Sequence, residues 1–150
     1  MKNKIGWRIE LKTRGYRLTI PRQVIIDLLS KQEGHLSAED IYMTIHSQHP
    51  SIGLTTVYRT LELLTRIRIL DKFDFGDGRT RYELAEEYGI KKHHHHLICK
   101  NCAKIIDYAD FVDEELELIR KTEKILAVKY DFTITEHLIR FYGLCKECES

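Results

Sequence analysis

The sequence lacks an apolar run of the roughly 20 residues that a membrane-spanning helix requires, so we expect no membrane association. Its amino end carries Lys4 and Arg8 where a secretory signal peptide would have an apolar core. The sequence also lacks a glycine-rich phosphate loop, a nucleophile elbow, and the histidine followed two positions later by glutamate that zinc deaminases use. These absences predict a cytoplasmic protein that is not an enzyme.

Cysteine is scarce, and its four residues form two Cys-x-x-Cys pairs, Cys99 with Cys102 and Cys145 with Cys148. A two-residue gap lets both thiolates of one turn bind a single metal ion, and two such turns complete a tetrahedral structural zinc site. A reducing compartment favours this interpretation over disulfides. We predict a closed structural Zn²⁺ site; the alternatives are four independent thiols or a redox dithiol.

Charge is distributed unevenly along the 150 residues. Residues 1–84 carry 14 Lys and Arg against 10 Asp and Glu, whereas residues 85–150 carry 10 against 13. The first 22 residues hold seven basic side chains and one acidic one. A basic amino end indicates either phosphate contacts or a solvated terminus.

Three helices are expected in the first half of the chain. Pro21 suits the first turn of a helix that is capped near Thr19. The segment 37–40 resembles a capping box, and it is followed by apolar residues at helical spacing. Thr55 is a candidate cap for the third helix.

A β-hairpin is expected to follow these helices. Residues 69–75 and 79–84 read as strands, and the sequence Gly-Asp-Gly at 76–78 is a strong hairpin signal. Three helices followed by a hairpin predict a winged-helix DNA-binding domain over residues 1–84.

The second half of the chain has a different pattern of predicted elements. Residues 85–92 read as a charged linker, and residues 93–150 as a small α+β dimerisation and metal-binding domain. This domain is too small to bury much core, so a structural metal and a partner subunit would both stabilise it. Its predicted elements are strands at 96–100, 104–108, 128–135 and 138–144, and a helix from Phe111 to Ile125.

Four consecutive histidines, 93–96, stand immediately before the first cysteine pair. In a strand, His94 and His96 would share one face and His93 and His95 the other. The run therefore creates two candidate His-x-His pairs, and imidazole suits zinc, ferrous iron and nickel. The alternative is a solvated polar loop.

The ordered set of motifs resembles the ferric uptake regulator family of bacterial metal-responsive repressors. The resemblance extends over nearly the whole chain, and it is specific because the segments occur together and in order. The matching segments are 19–22, 35–42, 53–59, 93–99, 102–107 and 142–145.

The resemblance implies two further metal sites besides the cysteine site. The regulatory site would consist of His35, Glu83, His94, His96 and Asp107. It would bind Fe²⁺, with Zn²⁺ or Mn²⁺ as alternatives.

An additional site would consist of His93, His95, Glu114 and His137. His95 stands where members commonly carry aspartate, which makes this site richer in nitrogen. At the regulatory site, Asp107 is the residue that peroxide sensors have, whereas Glu83 differs from their usual aspartate.

The third helix is the expected recognition helix, because its first residues would point at base edges. Thr56 and Tyr58 would contact thymine methyl groups, and Arg59 would contact guanine or phosphate. Core packing is the alternative role for Tyr58. The complete set of predicted DNA-binding residues is Arg17, Arg22, Thr55, Thr56, Tyr58 and Arg59.

The sequence thus predicts an iron-responsive repressor of metal-uptake genes that binds operator DNA as a homodimer. One regulatory ion would join ligands from both domains and favour the arrangement that fits DNA. Alternatives within the family are peroxide sensing and zinc sensing. Outside it, the alternative is a structural zinc-ribbon interaction module.

Overall fold

The computed structural model describes residues 3–32, 34–89 and 94–149. The chain separates into two compact units, residues 1–91 and 92–150. No helix within the described ranges has the length and apolar character needed to cross a bilayer. The elements of the first unit are α1 (Asn3–Thr13), α2 (Ile20–Leu29), β1 (Leu36–Ser37), α3 (Ala38–His46), α4 (Leu54–Arg66), β2 (Leu70–Asp74) and β3 (Thr80–Leu84).

The helix starts in the first unit follow local capping chemistry. α2 begins after Thr19 and has Pro21 in its first turn, as predicted. The predicted capping box at α3 is confirmed: the Asp40 N–H donates to the Ser37 hydroxyl at 3.1 Å, and the Ser37 N–H donates to the Asp40 carboxylate at 3.0 Å. The predicted Thr55 cap is wrong, because α4 begins two residues earlier and Gly53 takes the cap position.

The hairpin is confirmed to within one residue at each strand end. β2 and β3 are antiparallel, and β1 adds a third strand on the other side of β3. Gly76 and Gly78 in the connecting turn have φ values of +88° and +76°, which glycine adopts readily. A two-residue strand such as β1 is too short to produce a periodic signal in the sequence.

The first unit is held together by one apolar core. α3 contributes Ile41 and α4 contributes Leu61, and both side chains have no exposed surface. α1 contributes the buried side chains of Trp7 and Leu11. The basic amino end is therefore partly a packed helix, which the sequence interpretation missed because its charged residues obscured the apolar face.

The segment predicted as a linker, 85–92, begins with structured residues. The N–H groups of Tyr88 and Gly89 both donate to the Ala85 carbonyl, at 2.8 and 2.9 Å. Tyr88 packs against the core of the first unit. Residues 85–89 consequently form a turn of the first unit, and residues 90–92 lie outside the described ranges.

The second unit contains a three-stranded sheet and one long helix. Its elements are β4 (His95–Cys99), β5 (Ile105–Tyr108), α5 (Val112–Tyr130) and β6 (Arg140–Gly143). β4 is the central strand, antiparallel to β5 and parallel to β6. The predicted fold class, α+β with a winged-helix unit preceding an α/β unit that carries a cysteine cluster, is confirmed.

The predicted strand over 128–135 is wrong. α5 continues to Tyr130 and ends where Asp131 adopts a left-handed conformation, with the Phe132 N–H donating to the Ala127 carbonyl at 3.0 Å. Residues 132–139 have neither helix nor strand structure. The alternating apolar residues there have no partner strand among the residues that the structure describes, and a strand requires one.

A prediction about stability follows from the two faces of α3. Ile41 is fully buried, whereas Met43 is 73% exposed. Ile41→Ala should lower the free energy of unfolding by about 2–5 kcal/mol, because it leaves a cavity in the core. Met43→Ala, the control on the same helix, should change it by less than about 0.5 kcal/mol. Urea unfolding followed by circular dichroism measures both, and equal losses would contradict the core assignment.

Candidate metal centres and recognition helix

The four cysteines converge at the ends of two neighbouring strands. Cys99 ends β4, and Cys145 follows β6, which is paired with β4 in parallel register. Cys102 and Cys148 lie in the turns that follow. All four sulfur atoms lie within 4.8 Å of one another, and the sulfurs of Cys102 and Cys145 are 3.7 Å apart. A tetrahedral zinc ion with bonds of about 2.3 Å needs sulfur separations of about 3.8 Å, so the donor set fits zinc.

Backbone N–H groups near the cysteine cluster favour the ionised form of Cys99. Backbone N–H groups of Cys102 and Cys145 lower the pKa of Cys99 to about 6, and the Cys145 N–H lies 3.4 Å from the Cys99 sulfur. Burial raises the pKa of Cys145 to about 12. The two pKa shifts are opposed because backbone donors favour the thiolate of Cys99, whereas burial disfavours the thiolate of Cys145. A divalent ion at the centre would favour all four thiolates.

An ion pair lies beside the cysteine cluster. The Lys104 ammonium donates to both carboxylate oxygens of Glu147 at 3.0 Å. This contact lowers the pKa of Glu147 and raises that of Lys104. Because both groups are exposed, the pair adds little stability, but it joins the two cysteine turns.

The first unit supplies two donors of the predicted regulatory site. His35 precedes β1, whose Leu36 pairs with Tyr82 of β3, and this register brings His35 near Glu83. The Nε2 atom of His35 lies 3.3 Å from the Glu83 carboxylate. Phe73 and Phe75 stand edge-on to the imidazole, with ring centroids 4.9 and 5.2 Å away. The pair is largely shielded from water, which strengthens its attraction for a cation.

The second unit supplies the other three donors. The rings of His94 and His96 have centroids 5.1 Å apart. His96 pairs with Asp107 in the β4–β5 register, and its Nε2 atom lies 3.7 Å from the Asp107 carboxylate. Each unit thus presents a histidine together with a carboxylate, the ligand types that suit divalent first-row metals.

A third cluster surrounds His95, on the opposite face of β4. Its Nδ1 atom lies 2.6 Å from the Glu115 carboxylate, and its ring centroid is 6.3 Å from that of His137. His137 in turn lies 3.1 Å from Glu123. This alternation agrees with the two-faced pattern of the histidine run. His93 lies outside the described residues.

The structure differs from the sequence prediction at Glu114. The carboxylate that reaches His95 belongs to Glu115, whereas Glu114 is an exposed residue of α5. Neighbouring helical residues point about 100° apart, so an error of one position moves the donor to another face. Sequence reasoning also missed Tyr108, whose hydroxyl donates to Glu115 at 3.0 Å. Its strand register opposite His95 could have indicated it.

The start of α4 carries the predicted DNA-reading side chains. α4 buries Val57, Leu61 and Leu64, which leaves its first polar residues on the outer face. Tyr58 is 44% exposed, so the alternative of core packing is wrong. Thr55 and Arg59 are exposed and Thr56 is partly exposed.

The remaining predicted DNA contacts lie just before and within α2. Arg22 donates to the Arg17 carbonyl, and its guanidinium group lies over the Tyr16 ring at 5.7 Å. Arg66 donates to the Tyr16 hydroxyl at 3.3 Å. Tyr16 therefore contacts the guanidinium groups of both Arg22 and Arg66.

The cysteine cluster leads to a testable prediction. Cys102→Ser should reduce bound zinc from about one ion per chain to near zero, and it should lower the unfolding temperature of the second unit. Lys104→Ala is the matched control, because it breaks the adjacent ion pair without removing a sulfur. Elemental analysis and thermal unfolding measure both effects. Full zinc content in Cys102→Ser would contradict the four-sulfur assignment.

Comparison with known proteins identifies the relatives of this chain. Residues 13–142 match the ferric uptake regulator family. The ferric uptake regulation protein of Bacillus subtilis is 42% identical over 151 aligned positions, which cover 99% of this chain and 96% of that protein.

Solved structures give the same result. The Helicobacter pylori ferric uptake regulator, described as having three functional metal binding sites, matches with a TM-score of 0.73 and 28% identity over 96% of this chain and 89% of that chain. The manganese-bound ferric uptake regulator of Pseudomonas aeruginosa also matches with a TM-score of 0.73, at 26% identity over 97% and 99% of the two chains. These matches, together with the fold and the cysteine cluster, establish that the chain belongs to the ferric uptake regulator family.

Proposed function

We propose that this protein is a metal-dependent, DNA-binding transcriptional regulator, and specifically an iron-responsive repressor of metal-uptake genes. The observation that carries the proposal is the combination, in one chain, of an exposed recognition helix and a histidine–carboxylate pair in each of the two units. No catalytic role is proposed, because the histidine and carboxylate clusters are assigned to ions that control DNA binding. Access to DNA and the thiolate site both favour the cytoplasm.

The cysteine cluster is proposed to hold structural Zn²⁺. Four sulfur ligands complete the zinc coordination shell and leave no open position for a substrate. The role of Cys99, Cys102, Cys145 and Cys148 is therefore to hold the ends of β4 and β6 together. This assignment leaves the histidines of β4 for exchangeable metal.

The regulatory Fe²⁺ is proposed to bind His35 and Glu83 of the first unit together with His94, His96 and Asp107 of the second. Oxygen and nitrogen donors also suit Zn²⁺ and Mn²⁺, and the Pseudomonas relative was solved with manganese. An ion bound by ligands from both units would restrict how the units move relative to each other. Metal thereby controls DNA binding only to the extent that it prefers the DNA-competent arrangement.

The additional site is proposed to consist of His93, His95, Glu114 and His137, with Glu115 as a further carboxylate beside His95. His95 and Glu115 are already in contact, and His137 lies close to both the His95 ring and Glu123. Two histidines and flanking carboxylates suit Zn²⁺ or Fe²⁺. The site would lie on the opposite face of β4 from the regulatory histidines.

The partners are proposed to be operator DNA and a second copy of the chain. Large apolar side chains are exposed on α5 and after it, including Leu118, Val128, Phe132 and Leu138 at 60–86% exposure. Residues 132–139 form no strand within the chain, and a second copy would supply a partner strand. A homodimer places two α4 helices at successive major grooves, where Tyr58 and Arg59 would read bases.

Peroxide sensing is the second candidate function, and zinc sensing the third. The carboxylate paired with His96 belongs to Asp107, and aspartate at this position resembles the peroxide sensors of the family. The structural zinc-ribbon module is not favoured, because it would need no exposed recognition helix.

The regulatory ligands yield a prediction about DNA binding. His94→Ala and His96→Ala should abolish metal-dependent binding to operator DNA and leave a folded dimer, because the cysteine cluster and α5 are unchanged. His46→Ala removes an exposed histidine of α3 and serves as the control. Gel shifts with and without Fe²⁺ under anaerobic conditions, together with gel filtration, measure the result. Unchanged metal-dependent affinity in the His96 variant would refute the proposed regulatory site.

A second prediction separates iron-responsive repression from peroxide sensing. If the protein responds to iron alone, mild peroxide treatment of the ferrous form should produce no gain of one oxygen atom on His35 or His94. Mass spectrometry of proteolytic fragments measures this gain, with the zinc-loaded protein as the control. Oxidation at either histidine, accompanied by loss of DNA binding, would favour the peroxide-sensing function instead.

A further inference from the structure

Tyr58, the central residue of the proposed reading surface, is held by a residue of a different helix. Its hydroxyl donates a hydrogen bond to the carboxylate of Glu39. Glu39 lies in the first turn of α3, where the Ser37–Asp40 capping box fixes the backbone. The contact therefore joins the rigid start of α3 to the first turns of α4.

This hydrogen bond shifts the pKa values of both Glu39 and Tyr58. The hydrogen bond from Tyr58 lowers the pKa of Glu39, and the same bond raises the pKa of Tyr58. Glu39 is thus ionised and Tyr58 is protonated throughout the neutral range. A hydrogen bond from a hydroxyl to an ionised carboxylate is stronger than a hydrogen bond between two neutral groups.

Glu39 lies in a groove beside the proposed DNA-binding surface. It lines an open groove of about 860 Å³ between α3, α4 and the hairpin, together with Tyr58, Glu62, Lys72 and Arg79. A carboxylate beside a surface that approaches phosphates weakens DNA affinity by repulsion. Some other effect must offset this cost if Glu39 is useful for recognition.

Fixing the orientation of the Tyr58 ring is an effect that offsets this loss of DNA affinity. With its proton donated to Glu39, the Tyr58 hydroxyl is not the donor to a base edge or a phosphate. The ring is then presented for apolar contact, and the apolar group in the major groove is the thymine methyl. Losing the contact with one methyl group is worth about a fourfold change in affinity.

We propose that Glu39 is a positioning residue that acts through the Tyr58 hydroxyl to make Tyr58 a reader of thymine methyl groups. The inference rests on the proposed function, because it concerns the specificity of the same DNA-binding surface. Glu39 lowers the affinity for all DNA and increases the discrimination between DNA sequences. Its charge repels all DNA equally, whereas its hydrogen bond favours sites with thymine at the contacted position.

The test uses metal-loaded full-length protein and a duplex selected from a random DNA pool by the wild-type protein. Each thymine of this duplex is replaced in turn by deoxyuracil, which lacks only the methyl group. Wild-type protein should bind about fourfold more weakly when the contacted thymine is replaced. Glu39→Ala should lose this discrimination and bind non-specific DNA more tightly.

Three variants separate positioning from charge. Glu39→Gln keeps an acceptor for the Tyr58 hydroxyl, so it should retain the thymine discrimination and still bind non-specific DNA more tightly. Glu62→Gln removes a negative charge from the same groove, so it should raise the affinity for all DNA and leave the thymine discrimination unchanged. In a Tyr58→Phe background, Glu39→Ala should cause no further loss of discrimination.

Different results would overturn different claims. Full thymine discrimination in Glu39→Ala, or an equal effect of Glu39→Ala in the Tyr58→Phe background, would overturn this inference alone. Absence of any metal-dependent DNA selection by the wild-type protein would overturn the proposed function, and this inference with it. Circular dichroism of each variant verifies that α3 and α4 remain folded.

Discussion

Four sulfur atoms at the ends of β4 and β6 are the constraint on which the second unit depends. This unit has few buried apolar side chains among its described residues, chiefly Ile98 and Val112, while α5 exposes many. Short strands and one helix with so small a core cannot offset the conformational entropy of folding. A cross-link through a metal at the cysteine cluster, between cysteine pairs separated by 42 residues, would compensate for the missing core. Since β4 ends at Cys99 and begins at His95, the same cross-link would also position the candidate metal ligands of β4.

The first unit has a different basis of stability. Its core is apolar and continuous, from Trp7 of α1 to Leu84 of β3, and it needs no metal to hold α4. Under the proposed function, metal would then not fold the DNA-reading unit but restrict its orientation. That division fits the two kinds of ligand. Four thiolates form a closed structural zinc shell, whereas histidine and carboxylate suit several divalent first-row metals.

The histidine run shows how strand geometry divides one motif between two sites. Because successive side chains of a strand point to opposite faces, His96 meets Asp107 while His95 meets Glu115 and Tyr108. In a helix, only His93 and His96, which are three positions apart, would share a face, and neither of the two His-x-His pairs would form. The period of two therefore underlies both candidate centres in the second unit.

Much of this molecule followed from local sequence. Two-residue cysteine spacing, the capping box at Ser37 and the glycine turn at 76–78 each specify a structure through neighbouring atoms, and all three appear as predicted. The alternation of the histidines likewise needed only the assumption of a strand. Other features depended on contacts between residues far apart in sequence.

Only the tertiary structure showed that α1 packs into the core and that Glu115 reaches His95 in place of Glu114. It also showed that residues 128–135 form no strand within the chain and that Tyr58 is bonded to Glu39. A strand requires a partner, and the facing side of a helix depends on what packs against it. Spacing along the sequence determined the ligand types and the turns, whereas long-range packing determined which side chains meet.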